Sequence, residues 1–424
     1  MGSTLDFDVI IIGGGLAGGL AALALGGEGF SVALIDAEDP ATMQGLQFDG
    51  RTTAIAYAAA RVFKRLGAWR AVEDDAEPIR DILVTDGRAG SALQGGTSSA
   101  FHLHFDSAEL ENGEPLGFIV ENRHLRIALF EALSRATNVT LFAPAKRVST
   151  DNGAAAARVT LADGRRLSAA LAVAADGRFS PSRSEAGIKV NRWSYPQTGI
   201  VATIAHERAH EGLAQEFFLP AGPFAILPMT PDREGGRIKN YRSNIVWTEA
   251  RAAAPAYLAL DEARFIDALA ARVGDHLGAL RLDGPRWSYP LAFHLAQTYV
   301  APRLALIGDA AHAIHPIAGQ GYNLGVKDIA ALADTLAEAR SLGLDIGSLS
   351  TLQNYQRWRR FDSAALALGG DALVRLFSND VGPLRIARDI GMGAVNAVAP
   401  LRRMFMKEAG ADLGRLPSLM APMS

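Results

Sequence analysis

Near its N-terminus the chain passes from a short apolar run directly into a cluster of glycines. Apart from Asp8, Phe7–Ile12 is apolar without alternation, which is typical of a strand buried on both faces of a parallel sheet. The glycines follow in the spacing Gly13-x-Gly15-x-x-Gly18, and Leu16–Leu25 continues as an alanine- and leucine-rich segment that predicts a helix. A strand, a tight glycine turn and a helix in this order indicate the first part of a βαβ unit.

A second apolar strand, Phe30–Ile35, completes this unit and leads to Asp36. Gly13 would permit the turn, Gly15 would let a diphosphate approach the backbone, and Gly18 would let helix and strand pack closely. Free N–H groups and the helix dipole favour a diphosphate there, and Asp36 can accept hydrogen bonds from ribose hydroxyls. Its charge would repel a 2′-phosphate, which argues against NADP at this site. The alternative is a glycine-rich turn beside an incidental surface aspartate.

Two distant segments repeat the combination of a strand end, a carboxylate and a glycine. In Leu306–Asp328, reading LIGDAAHAIHPIAGQGYNLGVKD, Asp309 follows a buried strand, and a glycine-rich stretch leads into a helix. Asp176–Arg183, reading DGRFSPSR, follows another buried strand. Open α/β sheets bind ligands at the carboxyl ends of their strands, and carboxylates suit sugar or ribityl hydroxyls. Each segment alone is explained as well by an ordinary turn, but together they predict that the chain returns to one ligand.

The pattern changes between Trp193 and Thr248, where short alternating strands are separated by proline and glycine. Such alternation is typical of an antiparallel sheet, and 424 residues are enough for two or three domains. The sequence therefore predicts an α/β protein with a Rossmann-like nucleotide-binding domain, an α+β second domain for the substrate, and a C-terminal helical segment. The expected bounds are 1–75, 100–182 and 285–350 for the first, 76–99 and 183–284 for the second, and 351–424 for the third.

Helical patterns recur through the rest of the chain. They are expected at 53–66, 125–134, 261–280 and 325–339, and along most of the tail from residue 354. The first of these ends before Gly67, which suits a helix C-cap. Such helices would supply the layers that cover a parallel sheet.

Composition excludes several classes of function. The chain has no cysteine, which excludes disulfides, thiolate metal sites and cysteine nucleophiles, and its histidines show no metal-ligand spacing. A net charge of −3 without a basic run gives no attraction to nucleic acid. Val9–Gly27 is uncharged, but its glycines and the absence of a basic flank favour a strand, a turn and a buried helix over a membrane span or signal peptide. We expect a cytoplasmic protein.

Together these motifs resemble a known family. GxGxxG with a following acid, DGxxSxxR and GDAAHxxxPxxGQGxNxGxxD, in this order, are similar to the signatures of the group A FAD-dependent aromatic hydroxylases. Within that group, HPIAGQGYNLGVKD, LGFIVEN, YPQTGIVATIAHE and the tail segment LVRLFSND resemble the ubiquinone-biosynthesis hydroxylases, which include enzymes acting on polyprenyl phenols. The resemblance extends from Asp8 to about Leu416 and implies a para-hydroxybenzoate hydroxylase-like fold.

The resemblance also implies a cofactor and a role for each matched position. FAD would be the bound cofactor, NAD(P)H or another donor its transient reductant, and O₂ the co-substrate. The implied FAD contacts are Gly13, Gly15 and Gly18 at the diphosphate, Asp36 at the adenosine ribose, Arg51 over the flavin, Asp176 and Gly177 at the side of nicotinamide access, Asp309 at the ribityl chain or diphosphate, and Gly319, Gln320, Gly321 and Asn323 at the pyrimidine edge. Two positions depart from the family pattern, since many members carry Glu in place of Asp36 and Arg in place of Asn122.

The implied reaction is hydroxylation of the aromatic ring of a polyprenyl phenol, through a flavin C4a-hydroperoxide and electrophilic attack on the ring. The protein must exclude water and orient the ring. Negative charge on the ring assists the attack, yet the sequence identifies no group that removes the phenol proton. Candidates by residue type and family placement, each with a structural role as the stronger alternative, are Tyr195, Gln197, His294 and His315. His312 is expected to pack or hydrogen-bond behind the flavin loop.

Two other functions stay open on the sequence. One is hydroxylation of a small soluble phenol or aromatic acid, and the other is a flavin-containing scaffold that holds other quinone-biosynthesis enzymes together. Between residues 383 and 407, apolar side chains fall along one helical face with basic residues around it. Such a helix can rest on the inner face of the membrane, or it can simply cover the flavin domain.

Overall fold

The architecture comes from a computed structural model, which describes residues 5–45, 47–86, 102–110, 113–377 and 391–423. The strands in chain order are β1 (Phe7–Ile12), β2 (Val32–Ile35), β3 (Thr52–Ala56), β4 (Ala76–Ile79), β5 (Asp81–Asp86), β6 (His102–Asp106), β7 (Gly117–Glu121), β8 (Val139–Phe142), β9 (Arg147–Asn152), β10 (Ala157–Leu161), β11 (Arg166–Ala174), β12 (Val190–His206), β13 (Leu213–Leu219), β14 (Gly222–Glu234), β15 (Arg237–Ala250), β16 (Leu280–Leu282), β17 (Trp287–Ala296), β18 (Val300–Ala301), β19 (Leu304–Leu306) and β20 (His312–Ala313). The helices are α1 (Leu16–Gly27), α2 (Pro40–Met43), α3 (Tyr57–Arg65), α4 (Asn122–Arg135), α5 (Pro181–Glu185), α6 (Ala254–Leu258), α7 (Glu262–Val273), α8 (Gly321–Ser341), α9 (Leu349–Phe377) and α10 (Ala399–Ala409).

The first sheet contains the βαβ unit predicted from the sequence. Its strands lie in the order β18–β19–β11–β1–β2–β8, and β19, β11, β1, β2 and β8 are parallel neighbours. The hairpin of β9 and β10 continues antiparallel from β11. Val9, Ile10 and Ile11 are fully excluded from solvent, as expected of a strand without polar alternation.

The second, larger sheet runs β20–β17–β12–β15–β14–β13–β5–β6 and is mostly antiparallel, as predicted for 193–248. Its outer face packs against α6 and α7 in a separate core that includes Phe217, Trp247 and Phe265. The opposite face, which we call the inner face, contributes Ala214 and Phe218 to the core shared with the parallel sheet.

A small third sheet, β4–β7–β3, corrects one prediction. The helix expected at 53–66 begins only at Tyr57, because Thr52–Ala56 pairs with β7 instead. The β-branched Thr52, Thr53 and Ile55 suit a strand, and the pairing outweighs the weak helical pattern. The helix expected at 261–280 ends at Val273, where Gly274 has a φ of 76°.

The expected domain bounds remain a proposal, and strand pairing suggests two changes to them. β6 and β17, which the sequence assigned to the first domain, pair within the larger sheet. We therefore propose that 102–106 and 287–296 belong to the second domain. Residues 87–99 of that domain, and 383–390 of the amphipathic tail, lie outside the described residues. Across the described ranges no helix combines the length and apolar character needed to cross a bilayer.

Candidate active site

Four loops meet at one edge of the parallel sheet. Register pairs join Leu306 to Ala174, Ala174 to Ile12, and Ile12 to Ile35, so the strands β19, β11, β1 and β2 end at the same level. The residues that follow these ends are those singled out from the sequence: Asp309, Asp176, Gly13 and Asp36. Carboxyl ends of neighbouring parallel strands form the usual ligand crevice of an open α/β sheet.

The first loop has the geometry that its glycines require. Gly13 has a φ of 100°, a conformation that other residues rarely adopt. A Cβ on Gly18 would collide with the Gly13 carbonyl oxygen, so the close packing of α1 on β1 requires glycine there. A Cβ on Gly15, in contrast, would meet no atom within 4 Å. The open space over Gly15 lies at the N-terminus of α1, which has no side-chain cap.

Asp36 holds the same loop in place. One of its carboxylate oxygens accepts the N–H of Gly14, and the other accepts the N–H of Glu38 at 2.8 Å. The oxygens keep further acceptor capacity for a ribose, since each carries two lone pairs. The predicted ribose contact of Asp36 thus stays compatible with its structural bonds.

The Asp176 loop joins the Asp309 loop through an arginine. Arg183 is buried and donates to the carbonyl oxygens of Ala310 at 2.8 Å and of Arg178 at 3.0 Å. One oxygen of Asp176 accepts the N–H of Ser182 at 3.0 Å. Its other oxygen is buried and has no hydrogen-bond partner among the described residues. Arg183 therefore holds two of the strand-end loops together.

The carboxylate of Asp309 lies at the same edge of the parallel sheet. The side chain is solvent-accessible and makes no hydrogen bond with the described residues, whereas its backbone carbonyl accepts from His294 Nε2 at 2.9 Å. Surrounding protein raises the pKa of Asp309, against the opposing effects of His312 and Arg178. An acceptor without a protein partner in this position suits a hydroxyl-bearing ligand.

The glycine-rich stretch at 319–323 is anchored by its own side chains. Gln320 donates to the carbonyl of Ala409 at 3.0 Å. Asn323 accepts from the N–H of Ala56 at 2.9 Å and donates to the carbonyl of Ala54 at 3.0 Å. Both side-chain amides are thus bonded to other parts of the chain, so contacts with a flavin would come from backbone N–H groups. Such groups are available where α8 begins at Gly321, because this helix has no side-chain cap.

Arg51 directly precedes β3, whose Ala54 and Ala56 bond Asn323, but its side chain is engaged locally. Its side chain is 67% exposed and pairs with Asp49 at 2.6 Å. Asp49 also contacts Arg126 at 3.2 Å. Burial raises the pKa of Asp49, but hydrogen bonds and charge from Arg51 outweigh it and lower the pKa. Arg51 can reorient toward a ligand only by loosening this pair.

A buried charged cluster behind the loops was not predicted from the sequence. Asp328 is fully buried and accepts from Gly308 N–H at 3.2 Å, His312 Nε2 at 2.6 Å and Arg359 Nε at 2.9 Å. Burial raises the pKa of Asp328, but His312 and Arg359 outweigh it and hold the pKa below its usual value. The expectation for His312 is confirmed. Arg359 gave no local signal, because its partner is 31 residues away.

The four candidates for proton removal have structural partners. Tyr195 donates to Asp371 at 2.6 Å and Gln197 to the carbonyl of Ala221 at 2.8 Å. His294 bonds the Asp309 carbonyl as described, and His315 Nδ1 accepts the N–H of Ile317 at 3.2 Å. Burial lowers the pKa of His294 and of His315 to about 4, so both imidazoles are neutral at pH 7.

The strand-end site fits an FAD molecule on observations of this chain alone. Added Cβ atoms at Gly15 and Gly177 would meet only open space, so a ligand can approach the backbone at both. The unpartnered oxygen of Asp176 and the free carboxylate of Asp309 offer acceptors for ligand hydroxyls. The individual FAD contacts expected from the sequence stay predictions.

Comparisons with known proteins were made by family, by sequence and by structure. A family described as FAD binding domain matches residues 6–361. The chain is 46% identical to ubiquinone hydroxylase UbiL of Rhodospirillum rubrum, covering 96% of this chain and 90% of that protein. It is 34% identical to 3-demethoxyubiquinol 3-hydroxylase of Escherichia coli, with 95% and 98% covered. The solved p-nitrophenol 4-monooxygenase PnpA of Pseudomonas putida has a TM-score of 0.74 at 19% identity, covering 96% and 99%, which concerns the fold alone.

These matches confirm the family, the FAD cofactor and the α/β fold expected from the motifs. The relatives cover nearly the whole chain, so the match includes both sheets as well as the nucleotide unit. The chain belongs to the FAD-dependent aromatic monooxygenases, in the family that contains the ubiquinone hydroxylases.

Proposed function

We propose that this enzyme hydroxylates the aromatic ring of a polyprenyl phenol in ubiquinone biosynthesis, with NAD(P)H as the reductant. The names of relatives that span almost the full chain support the pathway. The use of FAD is supported by one observation: four strand-end loops meet around Gly15, Asp176 and Asp309. A ring hydroxylase needs a substrate space next to this cofactor crevice, and the largely apolar inner face would bound that space.

The residues of the chain would bind and orient the reactants. When bound, FAD supplies the redox chemistry that activates O₂. The N-terminus of α1 over Gly15 would hold the diphosphate, and Asp309 would accept hydrogen bonds from the ribityl hydroxyls. The N-terminus of α8 at Gly321 would favour electron density at the adjacent ring edge. The protein would thus contribute position and electrostatics rather than a covalent step.

Purification and turnover test this function. The protein should be yellow, release FAD on denaturation, and oxidise NAD(P)H faster with 2-prenylphenol, whose ring should gain one oxygen atom from ¹⁸O₂. Asp309→Asn should weaken FAD binding, whereas Asp163→Asn, in an exposed turn pair with Arg165, should not. A flavin-loaded protein that adds oxygen only to small soluble phenols would contradict the polyprenyl substrate and favour the catabolic alternative.

We also propose peripheral membrane contact through the C-terminal helices. Large apolar side chains are exposed there, among them Phe361 at 79% and Leu368 at 53% on α9 and Phe405 at 42% on α10. Arg360 and Lys407 on the same helices supply positive charge. Exposed apolar and basic side chains together suit an anionic lipid surface, where a prenylated substrate would also reside.

Vesicle flotation tests the membrane contact. The protein should float with vesicles containing anionic lipid, and the double change Phe361→Glu and Leu368→Glu should abolish flotation. Leu342→Glu is the matched control, because Leu342 is 65% exposed but lies at the end of α8. Equal flotation of all three proteins would rule out these helices as the contact.

A further inference from the structure

Glu216 lies in the middle of β13 and points to the inner face of the larger sheet. Its neighbours two positions away, Ala214 and Phe218, belong to the core on that face, whereas the adjacent Phe217 belongs to the outer core. Side chains alternate along a strand, so Glu216 shares the face of Ala214 and Phe218. A carboxyl group therefore stands on the wall that bounds the proposed substrate space.

The side chains around Glu216 are apolar. Its direct cross-strand neighbours are Val84 on β5 and Ala225 on β14. Ala225 in turn pairs with Val246 on β15, and Val246 pairs with Val201 on β12. Directly paired residues lie on the same face, so these residues form one row across the sheet.

The same row leads to the loop that carries Arg51. Val201 pairs with Trp287 on β17. The ring of Trp287 fills the space where a Cβ on Gly50 would lie, and it packs edge-on against Phe48 with centroids 5.7 Å apart. The row of paired residues thus extends from Glu216 to the segment before β3, and Ala54 and Ala56 of β3 bond Asn323 in the glycine-rich stretch.

The side chain of Glu216 reaches solvent, although protein lies around most of it. Its side chain is partly exposed, as are Val84 and Val246 in the same row, although β15 lies inside the sheet. Exposure of an interior row indicates an open space over it. Within the described ranges Glu216 makes no hydrogen bond or ion pair, and burial alone raises the pKa of its carboxyl to about 8. A carboxyl group in apolar surroundings needs a partner, and none comes from the described chain.

We propose that Glu216 contacts the ring hydroxyl of the phenolic substrate and accepts its proton. The inference rests on the proposed function, because it requires a phenol in this space. The phenol O–H bond breaks, its proton passes to a carboxylate oxygen of Glu216, and the electron pair stays on the ring oxygen. The neutral acid then donates a hydrogen bond to the phenolate, whose charge assists attack on the ring.

The surroundings of Glu216 suit this transfer. A carboxylate that burial has made more basic is closer to a phenol in proton affinity, so the transfer costs less free energy. Val84 and Ala225 face it from the adjacent strands, and neither titrates. The same face also carries Tyr289, opposite Gly199 on β12, and burial raises the pKa of Tyr289 to about 12. Arg242, four positions before Val246 on β15, shares this face and is paired with Glu121 and Asp283. The carboxylate form therefore predominates above about pH 8, and hydroxylation should rise through that pH.

Glu216→Gln in the FAD-loaded enzyme tests the proton transfer. With 2-prenylphenol as the probe, turnover should fall by about 10²–10⁴-fold and lose its rise near pH 8, while FAD content stays unchanged. Glu77→Gln is the matched control, since burial also raises the pKa of Glu77, to about 7, but Glu77 lies on the small sheet. The Glu77 variant should keep the rise, and a Glu216→Gln enzyme with the wild-type pH profile would overturn the proposal.

A binding measurement separates this proposal from the proposed function. Bound 4-nitrophenol should ionise at a pH at least one unit higher in Glu216→Leu than in wild type, because an apolar wall disfavours the phenolate. Equal ionisation in the two proteins would overturn the role of Glu216. If the difference appears but 2-prenylphenol gains no oxygen, the role of Glu216 stands and the proposed substrate class fails.

Discussion

Gly15 is a single residue whose substitution should weaken FAD binding without affecting folding. Its φ is −65°, which any residue can adopt, and an added Cβ would meet only open space. Gly15→Ala should therefore leave the melting temperature of the FAD-free protein unchanged. The methyl group would occupy the space of the diphosphate, so the Kd for FAD should rise at least about tenfold, or about 1.4 kcal/mol.

Fluorescence titration with FAD measures this change. Gly369→Ala is the matched control, because Gly369 lies on α9 with no atom near its Cβ position. That variant should keep its FAD affinity and gain about 0.5–1 kcal/mol of stability from the better helix former. Unchanged FAD affinity in Gly15→Ala would place the diphosphate elsewhere.

Asp328 should be important for stability, because it neutralises a buried arginine. Asp328→Asn removes the fully buried counter-ion of Arg359 and leaves the guanidinium paired with Asp362, which is 35% exposed, so we expect a loss of about 3–5 kcal/mol in the free energy of unfolding. Glu131→Gln removes an exposed partner of Arg135 and should cost less than about 1 kcal/mol. Urea unfolding measures both, and similar small losses would show that the Asp328 pair contributes little.

Single residues also show how far the sequence could predict the site. Asp36, Asp176 and Asp309 were placed correctly at one sheet edge, because strand ends follow from local apolar runs and the topology rule. The side-chain partners of Gln320 could not be predicted, since the Ala409 carbonyl comes from another helix 89 residues away. Glu216 was missed for the same reason: its isolation depends on which strands pair beside it.

At the scale of elements, residues 410–423 form a C-terminal strap across the back of the site. Arg61 on α3 donates to the Met420 carbonyl at 3.0 Å, and Lys327 on α8 donates to the Leu413 carbonyl at 3.0 Å. Ser418 bonds Asp334 of α8 through its backbone N–H at 2.8 Å. The strap therefore ties α3 to the helix that begins at the flavin loop.

Met420 anchors the strap through burial. It is fully excluded from solvent, and Met420→Ala should lower the free energy of unfolding by about 2–5 kcal/mol through lost contacts and the cavity left behind. Met423, three residues on, is 50% exposed, so Met423→Ala should have almost no effect. Chemical unfolding distinguishes the two, and equal stabilities would mean that the strap detaches in solution.

Element boundaries were predicted less well than element types. Thr52–Ala56 was read as the start of a helix, because its strand character depends on pairing with β7, which the sequence does not reveal. The parallel strands were found easily, since burial on both faces makes them uniformly apolar. Which sheet β6 and β17 join is set by pairing over long sequence distances, and no local pattern reports it.

For the whole molecule, buried histidines predict a loss of stability in mild acid. Burial lowers the pKa of His206, His294 and His315 to about 4, against about 6.5 in the unfolded chain. The contribution of these neutral histidines to the free energy of unfolding is complete above pH 6.5. It is lost as the pH falls toward 4, because the unfolded chain binds protons that the folded chain does not. Each should remove about 1.4 kcal/mol per pH unit in that window.

Urea unfolding between pH 7 and pH 4.5 checks this dependence. His206→Gln, which removes one of the three, should reduce the slope by about 1.4 kcal/mol per pH unit. Part of the remaining slope should come from His210 and His276, because burial lowers their pKa as well. His124→Gln is the control, since its ring is partly exposed and pairs with Asp75 at 3.0 Å. A stability that is constant over this range would contradict neutral buried imidazoles.

The meeting of four strand-end loops also sets the order of events when the protein is made. The crevice needs Gly13 and Asp36 from the start of the chain, Asp176 from its middle, and Asp309 from its last third. A nascent chain folds from its N-terminus, so no intermediate shorter than about three quarters of the protein has an edge complete enough to retain FAD. Flavin would be loaded only after most of the polypeptide has been made, and the yellow colour of a variant would then report that all four loops had met.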